Sequence, residues 1–331
     1  MHWASPWIEA NILFAWLLIL LSFAVLAMCA GCFVEALAGA SFRLRLPKLL
    51  AGLVIGAVAT TAPEFSVSFL SALQGRPEMA LGNAVGSLIC NNGLALGLLG
   101  LTSLTAIAID PRQLRISGVF LLAVQALLIW FLAFDAILSR WEGATLMLLF
   151  GGYLAVLYRQ HRSGEFRAAF ELEAELAHKA AVMGTVKMAV FFVVGLAGIL
   201  VASDLVVLSA RAIAVSWGIS DGIIAMTLVA LGTSVPEAAT CVAAARRGEG
   251  ALAVGNILGA DIMNVCWVAG ASALANPLTI PAREAAVMLP AMALMALAML
   301  GFLWWGYRLG RGKGLVLLAL YGIYMAVFLA W

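Results

Sequence analysis

The sequence predicts an all-α membrane protein of about ten transmembrane helices, arranged as two inverted five-helix repeats. Three observations carry the prediction: the composition, the sidedness of the basic residues, and an internal repeat. Of 331 residues, 64% are apolar and 11% are charged, against about 45–50% and about 25% in soluble domains. A water-soluble packing would leave that surplus on its outer face. The apolar residues come in long runs and not in short alternating strands, which argues against a barrel. At about 20 residues per span, the length accommodates roughly ten helices and leaves little for an extramembrane catalytic domain.

Taken in order, the apolar runs place helices near 11–40, 49–73, 79–104, 115–134, 143–158, 184–209, 222–245, 251–275, 284–305 and 314–331. The stretch from Met1 to Asn11 lacks the basic region of a signal peptide, so the first run is expected to be retained as a helix. The first and sixth runs are long enough to tilt, and the fifth is short. Arg159 to Ala180 is the one sizeable polar stretch, with acidic and basic residues alternating. It reads as a solvated linker between two halves and has no EF-hand pattern. The division is then a first repeat over 1–158, a cytoplasmic linker over 159–183 and a second repeat over 184–331. Cys29, Cys32, Cys90, Cys241 and Cys266 all fall inside apolar runs, as buried thiols do.

Orientation follows from the basic residues. With the N-terminus outside, the inner loops and linker hold fifteen of the nineteen Lys and Arg. Arg76, Arg140, Arg211 and Arg283 remain on the outer side. Such a bias independently supports an even number of spans, because an odd number would scramble the alternation.

A shift of 173 residues aligns the two halves without a gap. Ala57-Val58-Ala59-Thr60-Thr61-Ala62-Pro63-Glu64 falls on Ala230-Leu231-Gly232-Thr233-Ser234-Val235-Pro236-Glu237. Gly82-Asn83, Gly86, Ile89 and Asn91 fall on Gly255-Asn256, Gly259, Ile262 and Asn264. Each repeat holds five spans, so the second copy is inverted relative to the first. Inverted repeats mark secondary transporters, whose sites lie near mid-membrane on interrupted helices.

The shared motifs carry the chemistry of a cation site. Glu64 and Glu237 sit about mid-span, where a carboxylate costs roughly 2.5–3.5 kcal/mol to insert. The proline before each removes an N–H and frees a carbonyl about one turn earlier, at Ala59 and Gly232. The hydroxyls of Thr60, Thr61, Thr233 and Ser234 stand beside them. Ser87 and Asn91 share a helix face, and Asp261 and Asn264 roughly do. Asp261 is the third mid-membrane carboxylate and is expected to be a ligand or to set the charge. His2, His161 and His178 lie outside the spans. Oxygen-only ligation points to Ca²⁺, Mg²⁺ or Na⁺ and away from zinc or copper. Three carboxylates with neutral oxygens could hold one Ca²⁺, which takes 6–8 oxygens, or instead several Na⁺, or protons. Mutually exclusive occupancy of one cage gives antiport. No cofactor and no nucleic-acid partner is expected; the partners are the ions and the lipid bilayer.

These segments resemble the α-repeats of the sodium/calcium exchanger family, within the calcium/cation antiporter superfamily. The resemblance covers about 49–100 and 222–273, and rests on Gly232-Thr233-Ser234-Val235-Pro236-Glu237 and the Gly-Asn-x-x-Gly runs. It implies ten helices, an outside N-terminus, and alternating access exchanging Ca²⁺ for Na⁺. It implies ligands at Glu64 and Glu237, at the hydroxyls of Thr60, Thr61, Thr233 and Ser234, at the carbonyls of Ala57 and Ala230, and at Ser87 and Asn91. Departures concentrate in the second copy. Ala260 stands where the family often has Ser, Asn264 where many members have Asp, and Asp261 where many have Asn. In the first copy, Ala59 replaces a Gly. A carboxylate has shifted one turn along the same helix.

Ca²⁺/H⁺ exchange remains the alternative, since the same carboxylates could carry protons. An intramembrane protease would need Ser with His, a Gly-x-Gly-Asp pair or His-Glu-x-x-His within a span, and none is present. A channel fits inverted repeats and a closed carboxylate cage less well than a carrier. The location implied is a prokaryotic cell (inner) membrane.

Overall fold

The computed structural model describes residues 11–43, 48–162, 184–247 and 250–330. The expected linker lies largely outside the described residues, which stop at 162 and resume at 184. Ten helical spans follow one another: α1 Ile12–Arg43, α2 Lys48–Leu73, α3 Pro77–Thr102, α4 Pro111–Asp135 and α5 Arg140–Arg162 in the first half. The second half has α6 Thr185–Trp217, α7 221–247, α8 250–275, α9 Ala282–Trp304 and α10 Arg311–Ala330. Seven of these are long and apolar enough to cross a membrane by themselves. Two helices differ from expectation in length. The fifth helix is not short: it spans 23 residues. The sixth runs through Arg211 to Trp217 and stops at Gly218, whose φ of +66° makes a left-handed C-cap.

Local chemistry sets the other ends. Asp110 caps α4 by accepting from the Arg112 N–H, with Pro111 at the first helical position. Ser220 caps α7 by accepting from the Ile223 N–H.

The helices form a core and a lipid-facing periphery. α3 and α8, which carry the Gly-Asn runs, are central: 83% of each apolar window is buried, against 22% for α1 and 33% for α6. α1 packs chiefly along α6. The repeat recurs in the packing. A Cβ on Gly314 of α10 would lie 2.7 Å from the Gly97 carbonyl oxygen of α3, and one on Gly143 of α5 would lie 2.7 Å from that of Gly270 in α8. Gly97 and Gly270 are 173 positions apart. Bare backbones at these crossings let the helices meet at a distance no side chain would allow.

Two short bridges tie the halves together. β1 (Ile107–Ala108) pairs antiparallel with β4 (Arg308–Leu309), and β2 (Ile137–Leu138) with β3 (Leu278–Thr279). Each bridge joins a loop of one repeat to a loop of the other. Ile107 and Leu278 are 171 apart, as are Ile137 and Arg308, so the repeat offset shortens by two residues after α8.

Three of the helices contain π-helical turns: Asn91–Ala95 in α3, Ala225–Val229 in α7 and Asn264–Ala269 in α8. Those in α3 and α8 start 173 positions apart, each on the asparagine of its repeat. Such turns widen the helix and re-aim neighbouring side chains, and they concentrate at functional sites.

Candidate ion-binding site

The two Pro-Glu motifs take different backbones. α2 continues unbroken through Pro63. α7 is interrupted: the helix stops at Thr233, Ser234 takes φ −89° and ψ 1°, and a new segment starts at Val235. Pro236 is the second residue of that segment, where a missing N–H breaks no helical bond. Gly232, just before the break, lies under the Phe23 ring of α1, with no room for a Cβ.

Side chains from both repeats converge on this break. Ser234 donates to Glu64 Oε1 at 3.4 Å. Ser87 and Thr233 share a hydrogen bond at 3.3 Å between their hydroxyl oxygens. Asn91 donates from Nδ2 to Asp261 Oδ1 at 3.3 Å. Glu64 and Glu237 lie within electrostatic reach of each other. Every one of these side chains is buried, with Glu64, Ser87, Ser234 and Asp261 at 0% exposure and Glu237 at 2%.

Other expected site residues are placed less directly. Ala57 and Thr60 lie in α2, outside the described side chains. The Thr61 hydroxyl reaches Met263 Sδ at 3.7 Å. The Ala230 carbonyl is already engaged, accepting from the Ser234 N–H at 3.1 Å and from Thr233 Oγ1 at 3.2 Å. Asn264 opens the π turn of α8 at 1% exposure, and neither of its amide atoms has a hydrogen-bond partner among the described residues.

Buried polar atoms in folded proteins are nearly always hydrogen-bonded. Here they are not: Glu64 Oε2, both Glu237 oxygens, Asp261 Oδ2 and Asn91 Oδ1 are all buried without a partner among the described residues. These are five acceptors, on α2, α3, α7 and α8, and a dehydrated cation would satisfy them. No three His, Cys, Asp or Glu side chains among the described residues converge at metal-ligand spacing. An ion held here therefore depends on hydroxyl, amide and carbonyl oxygens as much as on carboxylates.

Three further residues belong to this region. Asn83, fully buried, donates to the Glu64 carbonyl at 3.2 Å and to Ser68 Oγ at 2.9 Å, and accepts from Thr233 Oγ1 at 3.3 Å. It stands in the repeated Gly-Asn pair, so the repeat itself pointed to it. Asn92, also fully buried, lies beside Asp261. The buried Cys90 side chain lies near Ser234 and Tyr321. Cys90 ends the regular helical segment and Asn92 lies in the π turn that follows it, and nothing in the sequence marks that turn.

The model of the family described as sodium/calcium exchanger protein matches residues 14–159 and 187–330. The chain belongs to the sodium/calcium exchanger family. This exchanger is similar to the putative antiporter CaxA of Alkalimonas amylolytica, with 35% identity over 317 residues covering 92% of this chain and 96% of that protein. It is similar to the inner membrane protein YrbG of Escherichia coli, with 32% identity covering 85% of this chain and 86% of that one. The sodium/calcium exchanger MaX1 of Methanosarcina acetivorans is 27% identical, covering 94% and 97%. A solved structure of the sodium-calcium exchanger NCX_Mj, soaked with Na⁺ and Sr²⁺, superposes with a TM-score of 0.62 at 28% identity, covering 96% of this chain and 99% of that one. The exchanger is thus an integral membrane antiporter of an ion-transporting family, and two matched stretches flank the segment between α5 and α6.

Proposed function

We propose that this antiporter exchanges Ca²⁺ for Na⁺ by alternating access, with both ions bound as substrates in one mid-membrane oxygen cage. The cage comprises Glu64 and Glu237, the hydroxyls of Thr60, Thr61, Ser87, Thr233 and Ser234, the carbonyls of Ala57 and Ala230, and Asn91, Asp261 and Asn264. The observation that supports this reading is the cluster of buried, partnerless acceptors drawn from both repeats. A carboxylate is costly at membrane depth, and three kept there without a full set of protein donors need a cation. Ca²⁺ takes 6–8 oxygens, which this set supplies only if both repeats contribute.

Occupancy couples to movement. The contacts Ser234–Glu64, Ser87–Thr233 and Asn91–Asp261 all cross between the repeats. An ion bound among these groups bridges the two repeats. Emptied, the cage would have to change its facing with bare carboxylates, through a low-dielectric barrier. One ion therefore returns only when another replaces it. The repeats divide at the linker over 159–183. The basic-residue bias places the N-terminus outside, in a prokaryotic inner membrane.

The test is Ca²⁺ uptake into proteoliposomes preloaded with Na⁺. Uptake driven by the outward Na⁺ gradient and insensitive to a protonophore is expected. Uptake that follows only a pH gradient would replace this reading with Ca²⁺/H⁺ exchange.

A further inference from the structure

The π turn Asn91–Ala95 of α3 presents Asn91 to Asp261 and carries Asn92, fully buried, beside the same carboxylate. Gly93 stands in the middle of that turn. A Cβ there would lie 2.5 Å from Met295 Cε of α9 and 2.6 Å from Tyr321 Cβ of α10, with Tyr321 Cδ2 at 3.1 Å. Met295 and Tyr321 are both buried. Two helices that contribute no residue to the proposed cage thus close on the backbone of a turn that does. The contact with α10 continues along α3. A Cβ on Gly97 would lie 2.6 Å from Leu318 Cγ, and one on Gly100 would lie 3.0 Å from Gly314 Cα. Cys90, just before the turn, lies near Tyr321.

Close helix packing accounts for Gly97 and Gly100, which lie in regular helix. Gly93 differs, because its turn is π-helical, a rare form that concentrates at functional sites. Glycine is also a poor helix residue. A wide turn centred on a glycine has little rigidity of its own, so the place of Asn91 depends on what lies behind it. The other repeat fills the matching space differently. With the offset of 173 in α3 and 171 in α9 and α10, the positions matched to Gly93, Met295 and Tyr321 are Cys266, Val124 and Phe150. A larger residue in the turn goes with a smaller one at the α9 position, a swap that conserves volume. Phe150 shows that the pattern needs the ring and not the hydroxyl.

We propose that Tyr321 and Met295 are positioning residues for the transported ions: they seat the α3 turn from behind and so set the Asn91–Asp261 contact. The proposal rests on the ion cage above and extends its support to α9 and α10. The two residues differ in stiffness. Tyr321 Cβ is fixed to its own backbone, so no rotamer change moves it, whereas Met295 Cε ends a flexible chain. A side chain added at position 93 therefore displaces the turn. The Asn91–Asp261 bond, already 3.3 Å long, is the contact that gives way.

The experiment measures Na⁺-driven Ca²⁺ uptake in proteoliposomes holding the full chain. Gly93→Ala should raise the apparent KM for Ca²⁺ about tenfold, the worth of one hydrogen bond to a charged group, with kcat little changed. In an Asn91→Ala background, which has no amide to displace, the same substitution should add no further rise. Met295→Val alone, which opens space behind the turn without a clash, should also raise KM, and again not in the Asn91→Ala background. It carries the test if Gly93→Ala does not fold. Combined, Gly93→Ala and Met295→Val should give a lower KM than Gly93→Ala alone, because the pair restores the volume balance of the other repeat. Tyr321→Phe should leave KM unchanged. Equal rises in the native and Asn91→Ala backgrounds, a fall in kcat with KM unmoved, or no rise in either single variant would overturn the proposal. A wild type that carries no Ca²⁺ would overturn the exchange reading instead.

Discussion

Gly86→Ala should separate α3 from α7 and disable the cage. A Cβ on Gly86 would lie 2.7 Å from Ala230 Cβ and 2.8 Å from both Met226 Cα and Met226 O. Two of those atoms are backbone in the π turn of α7, so no rotamer change relieves them. Restoring ordinary contact requires a shift of about 0.6 Å. The adjacent Ser87–Thr233 bond, at 3.3 Å, is already long and would not survive that shift. Overpacking costs about 1–3 kcal/mol, offset by about 1 kcal/mol from replacing glycine inside a helix. The net loss of stability is thus modest, and the larger effect falls on function: a misplacement near 1 Å can cost about a hundredfold. Na⁺-driven Ca²⁺ uptake should fall at least about tenfold, while the melting temperature in detergent falls by only a few degrees. Gly82→Ala should be milder, because its nearest atoms lie at 3.0–3.2 Å. Adding Ala230→Gly to Gly86→Ala removes the closest contact and should restore part of the uptake. Gly322→Ala, which meets nothing within 4 Å among the described residues, is the control. Wild-type uptake in Gly86→Ala, or equal damage from Gly322→Ala, would rule out the α3–α7 contact at Gly86 as what holds the cage in place.

Glu237→Gln preserves shape and removes a buried charge, so it should abolish Ca²⁺ uptake and Ca²⁺-induced thermal stabilisation while leaving the folded fraction intact on gel filtration. Asp261→Asn keeps an oxygen for Asn91 Nδ2; Na⁺ competition curves should show an apparent Ca²⁺ affinity about tenfold weaker, and unchanged curves would make the carboxylate purely structural. Asn83→Ala breaks three buried hydrogen bonds and should destabilise the protein by about 2–3 kcal/mol, seen as a lower melting temperature together with lost uptake.

Much of the site was legible from the repeat. Glu64, Glu237 and Asp261 were marked because charge is scarce and these carboxylates lie mid-span, and the structure brings side chains from both copies of the motif together. The hydrogen-bond network was not legible. Thr61 and Ser234 occupy the same place in the two matching motifs, yet one hydroxyl reaches Met263 and the other Glu64. The repeat marked Asn83 as a recurring residue but not that its amide ties α2, α3 and α7 together. Helix lengths failed where polarity misled: Arg211 and Arg140 lie inside their helices, because long basic side chains can extend to water from a helix end.

Composition, the sidedness of the basic residues and the 173-residue period establish a ten-helix membrane protein in two inverted halves, and they single out Glu64, Glu237 and Asp261 as mid-helix carboxylates. Those properties follow from composition and period, which neighbouring helices cannot change. Packing in three dimensions makes α2 continue unbroken through its proline while α7 breaks before the same Pro-Glu pair, and opens π turns at Asn91 and Asn264. A break in a membrane helix survives only where its polar groups find partners: the backbone bonds of Ser234 at the α7 break stay within the helix, while the Thr233 and Ser234 hydroxyls pair with Ser87, Asn83 and Glu64 of the other repeat. The halves are alike in sequence but each is packed against different neighbours, and that difference shapes the cage.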